Sequence, residues 1–243
     1  MPFYEREKEL LDIIMNHDST SVNELLKSQH LSKSTLRRDL IKPEEKGLII
    51  RTHGGIVPKR ISPDDKIPFF LRENEQDSAK KIIAEKAVGY IHDGDTIMLD
   101  GTTGAYCIIP LLVQFKDIVV ITSGAKASLL LGKLGIKNIC TGGEMITTSF
   151  SYVGETAKNT ISAYNADIVF FSCRGLSDDG LLSDNSAEEN AVRRLMMKHS
   201  KKKIFLCNSD KTGNKYLNNL CHVSELDEII CEKELPDIAA LIK

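Results

Sequence analysis

The 243-residue sequence has no tryptophan, no C-x-x-C pair among its six cysteines, and no apolar stretch near the roughly 20 residues that cross a bilayer. The longest strongly apolar run is only Cys-Ile-Ile-Pro-Leu-Leu-Val at 107–113. No histidine stands at ligand spacing from another histidine or from a cysteine pair, which argues against a zinc site and leaves no metal ligand to nominate. Disulfides are not expected, and Cys140, Cys207 and Cys231, each closing a short apolar run, read as small buried hydrophobes at strand ends. A secretory leader is not expected. Residues 1–14 interleave three glutamates with two basic residues where a leader needs a basic start and an unbroken apolar core, so a cytoplasmic protein is expected. No compositional bias of the disordered or collagen-like kind is present either, with 42% hydrophobic and 27% charged residues.

Proline is scarce except in one place. Three of the seven prolines, Pro58, Pro63 and Pro68, fall within Val-Pro-Lys-Arg-Ile-Ser-Pro-Asp-Asp-Lys-Ile-Pro-Phe, a segment that reads as an extended linker because it suits neither a helix nor a central strand. The expected division is residues 1–57, a linker at 58–75, and a larger domain at 76–243.

The formal net charge of −2 conceals unlike parts. Residues 26–60 carry nine basic side chains against three acidic ones, a net of +6, whereas residues 1–25 carry −4. A solvated charged face is one reading of such a run, and a polyanion-binding face is the other.

The amino-terminal 57 residues read as short helices followed by a hairpin. Leu10, Leu11, Ile13 and Ile14 recur at helical spacing. Ser21-Val-Asn-Glu24 has the form of a capping box opening a second helix, whose Val22, Leu25 and Leu26 form an apolar face. Ser32 is placed to cap a third, with Leu36 and Leu40 inward and Lys33, Ser34, Arg37 and Arg38 on the other faces. Two short helices joined by a tight turn, the second rich in Ser, Thr and Arg near its start, have the layout of a helix-turn-helix. The chemistry suits DNA: Arg offers a bidentate fork to guanine or phosphate, and hydroxyls at a helix start reach phosphates or bases. Two β-prone runs around Gly54-Gly55 then suggest a wing, with Arg51 and His53 placed towards DNA.

The string Ser32-Lys-Ser-Thr35-Leu-Arg37-Arg38-Asp39-Leu40, with Gly47-Leu48-Ile49 and Arg51-Thr-His53-Gly54-Gly55, resembles the DNA-binding domain of DeoR-family transcriptional regulators. The resemblance implies DNA contacts from Ser21, Ser32, Lys33, Ser34, Thr35, Arg37, Arg38, Arg51 and His53. Pro43 departs from the family pattern, which has an apolar helical residue there, and bears on the last turn of the recognition helix.

Beyond the linker, six apolar runs alternate with helical patterns: 96–99, 118–121, 138–140, 168–171, 203–206 and 228–231. Continuous apolar strands separated by helix-length segments imply a parallel sheet covered on both faces, with ligands bound outside the carboxyl ends of the strands. The loops there are Asp100-Gly101-Thr102-Thr103-Gly104, Thr141-Gly142-Gly143, and Asn208-Ser-Asp210-Lys211-Thr-Gly213, which together offer hydroxyls, backbone N–H groups and an ammonium to an anion.

The resemblance extends through Phe69-Phe-Leu-Arg72, the D-G-D-x-I-x-L-D run at 93–100, Gly154-Glu155, Phe171-Ser-Cys-Arg174-Gly175-Leu176 and Lys211-x-Gly213. It implies a three-layer α/β sensor domain of the ribose-5-phosphate isomerase and CoA-transferase type, behind a small winged helix-turn-helix domain. It also implies a phosphorylated-sugar effector held by Asp100, Gly101, Thr102, Thr103, Gly142, Gly143, Arg174 and Lys211. Two departures stand out. The family's D-x-G-T-T loop is D-G-T-T-G here, and its D-x-S-K is N-x-D-K, with Asn208 and Asp210. A carboxylate at Asp210 beside a phosphate repels it unless Lys211 or Arg174 compensates, so either the ligand differs or Asp210 points away.

The expectation is a repressor of sugar-metabolism genes that binds double-stranded operator DNA as a homo-oligomer, dimer or tetramer, and needs no cofactor. An isomerase-like or transferase-like enzyme on the same sheet edge is the alternative, against which stands the absence of any G-x-S-x-G, H-E-x-x-H or Walker pattern, leaving no catalytic residue to nominate. A ligand-binding protein whose first module contacts another protein is a third reading.

Overall fold

A computed structural model describes residues 10–11, 13–14, 17, 19–45, 49–52, 55–58, 69 and 77–241, and divides the chain into two compact units, Met1–Asp65 and Lys66–Lys243.

In the first unit, Leu10, Leu11, Ile13 and Ile14 are helical, with Leu10 and Ile14 fully buried. Helix α1 (Val22–Ser28) starts at the expected capping box: Ser21 Oγ accepts from Glu24 N at 3.1 Å, and Glu24 Oε2 accepts from Ser21 N at 2.9 Å. Of its expected apolar face Leu25 is buried, but Val22 is 39% exposed, because at the first helical position it projects off the end of the inward stripe. Helix α2 (Lys33–Asp39) is capped by Ser32, and Leu36 and Leu40 point inward as their spacing requires. The backbone then restarts as α3 (Ile41–Glu45) with Pro43 inside it, so the recognition helix ends at Asp39 and the proline sits in a separate turn of helix. Strands β1 (Ile49–Arg51) and β2 (Ile56–Pro58) form the antiparallel wing, with Arg51 opposite Ile56. Thr20 bridges to Ile56, and a Cβ at Gly55 would lie 2.6 Å from the Thr20 carbonyl oxygen, so the turn beside this bridge admits only glycine.

In the second unit, α4 (Asp77–Ala87) precedes six parallel strands: β3 (Thr96–Leu99), β4 (Val119–Thr122), β5 (Asn138–Cys140), β8 (Ala166–Phe171), β11 (Ser200–Cys207) and β13 (Glu228–Cys231). Their order is β13-β11-β8-β3-β4-β5, and every pairing is parallel. All six expected runs lie in this sheet. Side chains alternate between two cores, as the period of two demands. Ile97, Leu99, Ile168, Phe170, Ile204 and Leu206 face α4 and the helices α5 (Thr103–Tyr106) and α6 (Ala125–Lys133). Met98, Val169, Phe171, Phe205 and Cys207 face α7 (Gly154–Ser162) and α8 (Ala187–Lys198). This is the three-layer α/β arrangement.

Two small antiparallel sheets went unread in the sequence. They are the hairpin β6 (Glu144–Ile146) with β7 (Ser151–Val153), and the ribbon β12-β10-β9 (Asn218–His222, Leu181–Asp184, Gly175–Leu176). Their strands are two to five residues long, too short for alternation to stand out. None of the six cysteines is in a disulfide; Cys207 and Cys231 are buried at the ends of their strands as expected, whereas Cys140, on the edge strand β5, is only half-buried. Among the described residues no helix is long and apolar enough to cross a membrane, and no cluster of His, Cys, Asp and Glu has metal-ligand geometry.

Candidate DNA-reading helix and effector site

The start of α2 is a hydroxyl cluster. Ser32 Oγ lies 2.9 Å from Ser34 Oγ and 2.8 Å from Thr35 Oγ1, and accepts from Thr35 N at 3.2 Å. Lys33, Ser34, Arg37 and Arg38 are exposed on the faces that Leu36 and Leu40 leave free. Arg38 Nε reaches the Ser34 carbonyl at 3.3 Å, which steadies its stem along the helix. Arg51 is engaged within its own domain: its Nε pairs with Glu44 Oε2 at 2.9 Å and its Nη2 donates to the Arg37 carbonyl at 3.4 Å, bracing the wing against the recognition helix. Ser21 caps α1 with the same hydroxyl that was assigned to DNA. His53 lies outside the described residues.

At the carboxyl ends of β3, β8 and β11, three adjacent strands, the loops carrying Asp100, Ser172 and Lys211 meet. Asp100 is almost completely buried. Its Oδ1 accepts from Thr102 N at 3.1 Å and Thr102 Oγ1 at 2.6 Å, while Oδ2 accepts from Ser172 N at 3.1 Å and Arg193 Nε at 3.0 Å. Lys211 Nζ donates to Ser172 Oγ at 2.6 Å, and that hydroxyl donates to the Leu206 carbonyl. Gly101 is fixed by packing: a Cβ there would fall 2.0 Å from Ser151 Oγ. Thr102 caps the single turn Thr103–Tyr106, and both threonines are buried. Arg174 stacks its guanidinium over Tyr216, 5.7 Å from the ring centroid. Asp210 is exposed. Gly142 and Gly143 stand apart, after β5 and two strands from β3; both have positive φ, and a Cβ on Gly143 would lie 2.4 Å from the Val153 carbonyl oxygen.

Arg193 was missed entirely. Its Nη1 donates to Asp184 Oδ2 and Asn190 Oδ1, both at 2.9 Å, so one buried guanidinium joins α8 to Asp100 and to β10. In sequence it reads as one of a pair of ordinary helix arginines, and nothing local marks it as buried. Burial pushes the Asp184 carboxyl up, but Arg193 and the backbone N–H groups of Asn185 and Ser186 outweigh it and hold the carboxyl below the usual range. The facing carboxylates raise Arg193 above the ordinary arginine value despite its burial. Tyr216 was missed as well, since only the fold brings its loop over Arg174.

The comparisons with known proteins agree over both units. Residues 6–60 match the DeoR-like helix-turn-helix domain and residues 75–233 the DeoR C terminal sensor domain. An uncharacterised HTH-type transcriptional regulator of Bacillus subtilis is 30% identical, over 95% of this chain and 89% of its own length. The lactose phosphotransferase system repressor of Staphylococcus epidermidis is 29% identical over 94% and 92%, and the L-fucose operon activator of Haemophilus influenzae 28% over 96% and 93%. Among solved structures, eIF2B delta from Chaetomium thermophilum superposes at a TM-score of 0.50 with 20% identity, covering 68% of this chain and 60% of that one. A ribose 5-phosphate isomerase of Methanocaldococcus jannaschii gives 0.44 with 15% identity over 57% and 55%. At 20% identity the likeness to eIF2B delta shows the fold alone, and the family matches are to regulators rather than enzymes. The chain belongs to the DeoR family of transcriptional regulators.

Proposed function

We propose that the protein represses a sugar-metabolism operon, binding paired operator half-sites as a homo-oligomer and changing its operator affinity when a phosphorylated sugar occupies the sensor domain. In this reading residues 1–57 read DNA, 58–75 link, and 76–243 sense. Lys33, Ser34, Thr35, Arg37 and Arg38 carry the DNA contact, since Lys33, Ser34, Arg37 and Arg38 are exposed on α2 and the half-buried Thr35 stands at the Ser32 cap. Arg51 acts on the same surface by bracing it. Paired half-sites call for two copies of the module, hence the oligomer.

The observation that carries the effector reading is the Lys211–Ser172 contact at 2.6 Å beside the Gly101–Thr103 loop. It sets a half-buried ammonium, hydroxyls and a tight backbone turn at the heads of three adjacent strands, where ligands of parallel α/β sheets bind. Arg174, just beyond Ser172 in the chain, adds a second cation. Arg193, shared between Asp100 and Asp184, offsets part of their negative charge, which otherwise opposes an anion. The exposed position of Asp210 fits the alternative in which it points away from the ligand.

A thermal-shift screen of sugar monophosphates against their unphosphorylated sugars tests the sensor. Stabilisation by phosphorylated members alone is expected, and equal stabilisation by the free sugars overturns the phosphate assignment.

A further inference from the structure

Phe69 stands within the segment read as linker, yet its ring is almost fully buried in the sensor unit. Its backbone N–H donates to the Thr148 carbonyl at 2.7 Å. Tyr106 meets the ring edge to face at 5.6 Å between centroids, Phe150 at 6.3 Å, and Lys126 Nζ lies 4.6 Å from the centroid. The box therefore has an aromatic wall on two sides and a cation over one face, a geometry that holds an aromatic ring by electrostatics as well as by area.

Each wall adjoins the proposed effector loop. Tyr106 ends the one-turn helix that Thr102 caps, and its N–H donates to the Thr102 carbonyl at 3.0 Å. Phe150 precedes Ser151, the residue pressed against Gly101, and has φ of +52°, a left-handed conformation that a bulky side chain adopts only when its surroundings impose it. Its carbonyl accepts from Ala125 N at 2.8 Å, which ties it to the start of the helix that carries Lys126. Residues 101–103 are thus joined to Tyr106 by a backbone hydrogen bond and stand one residue from Phe150 through Ser151. On the amino-terminal side, eleven positions before Phe69, the chain is already Pro58, the last residue of the wing.

We propose that Phe69 is the positioning residue through which the state of the Gly101–Thr103 loop reaches the DNA-reading unit, its box gripping the end of the linker in one state of the loop and loosening in the other. It touches neither DNA nor effector. The proposal rests on the effector reading above for the identity of the signal, but not for the mechanical link. Sites coupled in this way typically alter one another's affinity about 5- to 150-fold.

The test uses the full-length protein and an operator selected by the wild-type protein from random-sequence DNA, read by fluorescence anisotropy. Phe69→Leu keeps an apolar side chain, and Lys126→Met removes the cation while keeping most of the volume. The first arm needs no effector: Gly101→Ala forces Ser151 aside, and its effect on operator affinity is measured in wild-type, Phe69→Leu and Lys126→Met backgrounds. A change of about fivefold or more in the wild-type background that is lost with Phe69→Leu supports the link. Equal effects in all backgrounds, including no effect in any, overturn it. The second arm adds ribose 5-phosphate, glucose 6-phosphate, galactose 6-phosphate and fructose 1-phosphate in turn. Phe69→Leu is expected to bind the active compound and the apo operator as the wild type does, within about twofold, while its operator affinity no longer responds. A box that is merely structural lowers both affinities together, and that result counts against the link. Failure of every sugar phosphate to bind the wild type overturns the effector reading, and the first arm then decides the role of Phe69 alone.

Discussion

Arg193 Nε and Asp100 Oδ2 lie 3.0 Å apart, both side chains at least 95% buried, and this pair fixes the loop on which the sensor reading depends. Removing a single partner of a buried ion pair costs about 3–5 kcal/mol, because it strands an unpaired charge. Arg193→Met leaves Asp100 and Asp184 without their cation, so a fall in Tm of about 10 °C is expected for a domain of this size. Differential scanning calorimetry checks it. A Tm within 2 °C or so of the wild type would show that the pair does not hold the loop.

Asp184 makes stability depend on acid in a defined direction. Its folded carboxyl is held below the ordinary range, chiefly by Arg193 against the opposing effect of burial. A carboxyl with a depressed folded pKa binds more protons when unfolded, so its contribution is present above the unfolded value of about 3.9 and is lost as pH falls through the folded value. Asp184→Asn is therefore expected to be less stable than the wild type at pH 7, with the gap closing below about pH 4. Urea unfolding at a series of pH values measures it. A gap that widens on acidification contradicts the assignment.

Gly142 and Gly143 separate conformation from contact. Both have positive φ, but a Cβ at Gly142 meets open space, whereas one at Gly143 meets the Val153 carbonyl at 2.4 Å. Gly142→Ala is expected to cost about 1–2 kcal/mol for the left-handed backbone alone, and Gly143→Ala distinctly more. Equal losses in chemical denaturation would mean that the β5 turn yields without cost.

What could be read from the sequence followed from local signals. The six central strands carried unbroken apolar runs, and the Ser21–Glu24 box and Ser32 cap are fixed by side chains three residues apart, so each emerged where expected. What failed to show depends on contacts across long stretches of chain. Arg193 meets a carboxylate 93 positions away, Lys211 meets a hydroxyl 39 positions away, and Phe69 packs against Tyr106 and Phe150, which come from separate parts of the chain. A proline-flanked segment also hides an anchor, because one buried aromatic has no periodicity to report it. Similarly, only the fold shows that Asp100 is buried and bonded to Thr102, Ser172 and Arg193.

The exposed face of α2 yields a prediction about salt. Arg37→Ala combined with Arg38→Ala is expected to weaken operator binding at least tenfold, and to reduce the slope of log affinity against log salt by about 0.9 for each phosphate that the two arginines neutralise. Anisotropy titrations at several salt concentrations give both quantities. An unchanged slope with weakened binding would place these arginines on bases alone, and unchanged binding would remove α2 from the interface.

The most direct test of the whole account compares operator binding by the wild type and Lys211→Met, each with and without the sugar monophosphate that stabilises the wild type. The account predicts equal apo affinities, a clear shift on adding the sugar phosphate to the wild type, and little or no shift in Lys211→Met. An apo affinity that falls as far as the response, or a response that survives the loss of the ammonium, would contradict it.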